Sequence, residues 1–195
     1  MTSGKDTVSY FNQIAESWQR LAAVDPVAVA ATLDALCVPP GGRLLDVGCG
    51  TGPLFGPLLE RLGGVGSCGQ GLLVGLDPAR RMLAVAGRTH RDPRLRLVCA
   101  AIEEYDGGDG PFDSILISRV LHHLEDPSSV VARLAGWLRP EGRLVILDTR
   151  EPGSAQKDIP DTWYPARPVP GLVCCAESHG DGWEIWVLTT SGETA

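Results

Sequence analysis

Over residues 8–21, VSYFNQIAESWQRL, the apolar positions Tyr10, Phe11, Ile14, Trp18 and Leu21 fall three or four apart, the period of an amphipathic helix. A second helix is expected from Pro26 to Cys37, with Asp25 as N-cap and Pro26 at the first helical position, until Pro39-Pro40-Gly41-Gly42 stops it. From Arg43 onward short apolar runs alternate with amphipathic ones. RLLDV (43–47), GLLVGLD (71–77), RLRLVCA (94–100), FDSILIS (112–118) and RLVILD (143–148) read as strands. GPLFGPLLERL (52–62), interrupted by its glycine and prolines, PARRMLAVAGR (78–88) and DPSSVVARLAGWLR (126–139) read as helices. AIEEYDGGDGP (101–111) has room for only one or two helical turns.

Strands alternating with helices require right-handed crossovers, which makes an α/β fold with a doubly wound, largely parallel sheet. At the end of the chain GLVCCAES (171–178) and WEIWVLTT (183–190) flank HGDG, the composition of a tight turn. The sheet is therefore expected to be mixed at one edge. Between them lies TREPGSAQKDIPDTWYPARPVP (149–170), with five prolines and no periodicity, which reads as a long surface loop.

With 195 residues and 44% apolar content, a single domain over 1–195 is expected. No apolar run approaches the roughly 18 residues of a membrane span, and MTSGKDTVSYFNQ lacks the apolar centre of a signal peptide. A cytoplasmic location follows. A net charge of −7 with scattered arginines argues against nucleic acid and anionic membranes as partners. The six cysteines form no CxxC and no zinc-like spacing with histidine, so reduced thiols and no metal site are expected. Cys174 and Cys175, neighbours in a strand, face opposite sides and read as two buried cysteines rather than a chelating pair.

Candidate chemistry begins at LLDVGCGTG (44–52), the first strand-to-helix turn, where a doubly wound sheet cradles its ligand. The glycines allow close approach and positive φ. A pyrophosphate on the next helix N-terminus would face the Asp46 carboxylate, and the spacing is G-x-G-x-G rather than G-x-G-x-x-G, so a nicotinamide dinucleotide fits poorly. Asp77 ends the next strand, where an acid can accept from both ribose hydroxyls; its distance from the glycines exceeds the usual ~20 residues because GGVGSCGQG (63–71) looks inserted. A nucleoside ribose on Asp77 and a cationic amino acid near Asp46 describe S-adenosylmethionine.

LLDVGCGTG, VGLDPARRML, FDSILISRVLHHLEDP and LAGWLRPEGRLVILD resemble, in order and spacing, the motifs of class I S-adenosylmethionine-dependent methyltransferases of the small-molecule, type 11/12-like group. The resemblance covers residues 40–150, and YFNQIAESW (10–18) resembles the helix that caps many members. It implies a Rossmann-like seven-stranded sheet, parallel except for an antiparallel C-terminal strand. It divides the chain into a helical cap (1–40), a cofactor-binding core (41–150), and an acceptor loop with the C-terminal hairpin (151–195).

By that resemblance Asp46, Gly48, Cys49, Gly50 and Gly52 hold the methionine part of the cofactor, and Asp77 with Pro78 the ribose. Met82 packs on adenine, a task suited to a polarizable thioether, and Ala101 and Ile102 border its edge. Many relatives carry an aspartate after the third strand, where this chain has Cys99-Ala100-Ala101-Ile102, leaving the adenine amino group to backbone or to Glu103. Ser118 and Arg119 match the positions beneath the transferred methyl. Tyr10 and Trp18 belong to the helix that closes the site, with plain core packing as the alternative. Trp163, Tyr164 and Arg167 fall where relatives build the acceptor pocket.

Methyl transfer from a sulfonium needs positioning and exclusion of water, and a base only where the acceptor loses a proton. His122 and His123 follow the fourth strand and are the candidate bases, with His123 preferred; capping or packing of the following turn is the alternative. The expected activity is methyl transfer to O, N, S or C of a small-molecule acceptor by a monomer or homodimer. A nicotinamide-dependent oxidoreductase and a non-catalytic S-adenosylmethionine-binding module are the alternatives.

Overall fold

Apolar strands too short to bury themselves line up side by side in the structure, a computed structural model that describes residues 4–21, 25–63, 71–149, 172–180 and 182–190. The strands β1 (Arg43–Val47), β2 (Leu72–Leu76), β3 (Leu95–Val98), β4 (Phe112–Ser118) and β5 (Leu138–Thr149) pair in parallel in the order β3-β2-β1-β4-β5. β6 (Leu172–Gly180) and β7 (Trp183–Thr190) form the expected hairpin, and β7 inserts antiparallel between β5 and β6. The result is the seven-stranded sheet, order β3-β2-β1-β4-β5-β7-β6, with β7 reversed.

Side chains alternate across each strand, so both sheet faces need cover. Leu45, Val47, Ile115 and Ile117 point to the face covered by α5 (Pro127–Ala135), while Leu44, Leu73 and Leu116 point to the face covered by α2 (Pro26–Leu36), α3 (Phe55–Arg61) and α4 (Arg80–Thr89). Phe55 and Phe112 are fully buried, each worth about 2–3 kcal/mol of burial. Helix α1 (Gly4–Leu21) packs on α4, its Asn12 side chain accepting from the Arg81 amide at 2.9 Å. Asp25 caps α2 as expected, accepting from the Val27 amide at 2.8 Å.

Several boundaries differ from the sequence reading. α1 begins at Gly4, four residues before the expected start. α3 spans only Phe55–Arg61, which moves Pro57 into the first helical turn, where no amide is needed. α4 begins at Arg80, two residues after the expected Pro78, and the Asp77 carboxylate accepts from the Ala79 amide at 2.7 Å in an Asx turn. The segment 101–111 makes one turn, closed by the Tyr105 amide on the Ala101 carbonyl, and is held by the Tyr105 hydroxyl donating to buried Asp109 at 2.9 Å. α5 ends at Ala135 instead of Arg139, and β5 starts at Leu138 because Leu138 pairs with Phe112.

Cys174 and Cys175 are a correction of another kind: both are exposed. β6 is the outer strand, solvated on both faces beyond Leu172, and a register shift between Cys174 and Ala176 leaves Cys175 as the extra residue of a bulge. Regular alternation with one buried face does not apply there.

Candidate active site

The crossover from β3 back to β4 on the other side of β1 creates the switch point at which open α/β sheets bind ligands. Loops leaving the carboxyl ends of β1, β2, β3 and β4 converge there on one cavity of about 1010 Å³. Its roof is α1, through Thr7, Val8, Tyr10, Phe11 and Trp18. Phe11 ties the roof to the far wall, its ring 5.2 Å from Trp18 and 5.3 Å from His123, both edge-on.

Gly48 and Gly50 shape the loop after β1. Gly48 has φ 69°, and its amide, like that of Cys49, donates to the Leu76 carbonyl of β2, which turns the loop back over the sheet. Gly50 has φ 54° and donates to Asp77 at 2.9 Å; a Cβ there would lie 3.5 Å from the Trp18 indole nitrogen, across the space between floor and roof. Gly52 does not line the cavity. A Cβ at Gly52 would stand 2.4 Å from the Phe55 ring, so this glycine seats the loop on α3 instead of approaching a ligand.

Asp46 lines the cavity while keeping only 2% of its surface. Among the described residues no hydrogen-bond donor reaches its carboxylate. Burial first and the neighbouring Asp77 second push it up to about 8. Asp77 is also raised by burial, though the amides of Ala79 and Gly50 work against that. The Cys49 thiol, beside both acids, is held well above its usual range by burial and stays protonated. Two buried carboxylates with one unpartnered is an arrangement that invites a cation and repels a pyrophosphate. The residues present therefore fit an ammonium-bearing nucleoside.

Pro78, Met82, Ala101, Ile102, Ser118, Arg119, His122 and His123 also line the cavity, as the sequence reading placed them. Arg119 sits at φ 57°, uncommon for a side-chain-bearing residue, with its amide donating to Leu147 at 2.8 Å. Trp163, Tyr164 and Arg167 lie outside the described residues. The sequence reading missed Phe11 as the link across the cavity, the acidic rim of Glu104 and Glu125, and Asp148, whose carboxylate reaches to 3.7 Å from His122 Nδ1. Asp148 carried a usable signal, since like Asp46 and Asp77 it stands at the carboxyl end of an apolar strand run.

The sequence profile of a family described as a methyltransferase domain matches residues 45–144. The chain belongs to that methyltransferase family. Among its relatives, the ubiquinone biosynthesis O-methyltransferase of Bradyrhizobium diazoefficiens is 34% identical over 109 residues, 54% of this chain and 39% of that one. The tRNA U34 carboxymethyltransferase of Trichlorobacter lovleyi is 33% identical over 109 residues, 54% of this chain and 32% of its own. The chain spans between 32% and 59% of the length of the curated relatives it matches. The crystal structure of a TehB-like SAM-dependent methyltransferase from Corynebacterium glutamicum shares the fold, with TM-score 0.70 and 21% identity over 94% of this methyltransferase chain and 99% of that one.

Among the described residues no helix is long and apolar enough to cross a membrane, and no group of three or more His, Cys, Asp and Glu is placed to hold a metal ion.

Proposed function

We propose that this chain catalyses methyl transfer from S-adenosylmethionine to a nucleophilic atom of a small molecule. The observation that carries this is the buried, unpartnered Asp46 carboxylate at a glycine turn. When bound, S-adenosylmethionine supplies a methyl group made electrophilic by its sulfonium, so that transfer leaves a neutral thioether. Asp46 would take the ammonium, and Asp77 the ribose hydroxyls through lone pairs its two amide bonds leave unused. Met82, 1% exposed, would back the adenine, with Ala101 and Ile102 at its edge. The α1 roof, Tyr10 and Trp18 included, would exclude water. Ser118, Arg119, His122 and His123 form the acceptor side, to which we also assign Trp163, Tyr164 and Arg167 of the 151–195 segment.

A small, non-anionic acceptor suits this cavity better than tRNA: Glu103, Glu104 and Glu125 line it, and the chain carries a net charge of −7. Asp46 and the family match together speak against nicotinamide chemistry. The cap, core and acceptor-loop division, a cytoplasmic location and a monomeric or homodimeric state belong to the same reading. Purified protein mixed with S-adenosylmethionine and a panel of small phenols, amines and thiols is expected to release S-adenosylhomocysteine. Tight cofactor binding without release for any acceptor would instead support a non-catalytic binding module.

A further inference from the structure

We propose that Glu104 and Glu125 are specificity-determining residues that act across the cavity, shifting its preference toward the positively charged methyl donor and away from the uncharged demethylated product. This rests on the methyl-transfer reading above. S-adenosylmethionine and S-adenosylhomocysteine share adenine, ribose, ammonium and carboxylate, and differ only in the methyl group and the sulfonium charge that comes with it. Contacts to the shared groups, Asp46 to the ammonium and Asp77 to the ribose, do not separate the two. Charge elsewhere on the wall does.

That wall is one-sided. Among the described residues, the carboxylates of Asp46, Asp77, Glu103, Glu104 and Glu125 line the cavity against one guanidinium, that of Arg119. Asp46 is 2% exposed with no donor on its carboxylate, which marks the cavity as one made for a cation. Glu104 reaches it from the turn after β3, and Glu125 from the link between the 3-10 turn Leu121–His123 and α5. Both are exposed, and neither joins an ion pair among the described residues. The sequence of 150–171 balances Arg150, Lys157 and Arg167 against Glu151, Asp158 and Asp161, so it brings no net charge to offset the wall. Between apolar surfaces such as Phe11, Leu76, Met82 and Ile102, a cleft lined by one sign of charge concentrates its field on whatever it holds.

A cavity volume of about 1010 Å³ corresponds to a width on the order of 10 Å. At that distance in water-like surroundings, an unscreened unit charge changes the affinity for another by about a factor of two. Neutralising both glutamates should therefore weaken the donor about 4-fold and reversing both about 15-fold, with little effect on a ligand of no net charge. Because both groups are exposed, their influence runs through solvent and fades with salt.

The test is calorimetry on the full chain, without acceptor, using S-adenosylmethionine, S-adenosylhomocysteine and sinefungin, an analogue with a protonated amine in place of the sulfonium. Between about 0.01 M and 1 M salt the screening length falls from roughly 30 Å to about 3 Å. Over that range the wild-type ratio of donor affinity to product affinity is expected to fall at least ~4-fold. At the low-salt end, Glu104→Gln/Glu125→Gln should weaken the donor about 4-fold and Glu104→Lys/Glu125→Lys about 15-fold, with sinefungin following the donor. S-adenosylhomocysteine should stay within about 2-fold in both variants, the range of a surface substitution, which also shows the site intact. A wild-type ratio indifferent to salt, or donor and product weakened alike by the double lysine variant, would overturn the proposal. Failure of both ligands to bind the wild type would instead overturn the methyl-transfer reading itself.

Discussion

Replacing Asp46 with asparagine is expected to lower affinity for S-adenosylhomocysteine roughly 10- to 100-fold, the size of a hydrogen bond to a charged group at about 1.4 kcal/mol per decade. The same change is expected to raise the melting temperature of the unliganded protein at pH 8. The folded carboxyl, pushed up to about 8 by burial and then Asp77, stands far above the ordinary aspartate range. A folded-state value raised in this way means that stability is fullest below about pH 4. It is lost as pH rises toward the folded value, because the unfolded chain ionises first. Asparagine cannot ionise, so it escapes the loss while paying a similar cost of polar burial. The gain should be about 1–3 kcal/mol, or several degrees for a domain of this size, at pH 8, and should shrink toward pH 5. Scanning calorimetry at both pH values checks it. A melting point for Asp46→Asn that falls at pH 8 would mean that the carboxylate has a cation partner within the protein already.

Gly48→Ala is expected to destabilise the protein by about 2–5 kcal/mol. Two costs combine: a left-handed backbone for alanine, at about 1–2 kcal/mol, and overpacking at about 1–3 kcal/mol. The φ of 69° requires the first, and a Cβ placed 2.2 Å from Val120 Cγ2 requires the second. Adding Val120→Ala should restore the overpacking part and leave the backbone part, a non-additive pairing that chemical denaturation of the four variants resolves. A single Gly48→Ala variant within about 0.5 kcal/mol of the wild type, the range of an ordinary surface substitution, would contradict the close approach of the β1 loop to the turn after β4.

The parts of this fold that the sequence made readable are those where local pattern and tertiary context agree. FDSILIS is β4 residue for residue, and the two runs flanking HGDG pair as the expected hairpin, with β6 extending two residues further, to Gly180. Where long-range pairing decides, local pattern misleads. Trp137, Leu138 and Arg139 continue a helical period, but the backbone pairing of Leu138 with Phe112 draws Leu138 and Arg139 into β5. The cysteine pair was misjudged because alternation predicts one buried face, and an outer strand with a bulge has none.

The site divides in the same way. Asp46 and Asp77 stand next to their glycines and prolines, so their chemistry can be read within a few residues. Asp148 meets His122 only through the register of β4 against β5, which no local pattern carries. Gly52 shares the motif with Gly48 and Gly50 but serves the Phe55 ring, a distinction that depends on where α3 starts.

The decisive measurement is the number of protons released when S-adenosylhomocysteine binds at pH 7, obtained by calorimetry in buffers of different ionisation enthalpy. Burial and then Asp77 push the Asp46 carboxyl up to about 8, so it must ionise to receive the ligand ammonium. Binding should therefore release close to one proton, and release should vanish well above the folded value and in Asp46→Asn. Tight binding with no proton release, and with equal affinity in Asp46→Asn, would show that this carboxylate does not receive the cation.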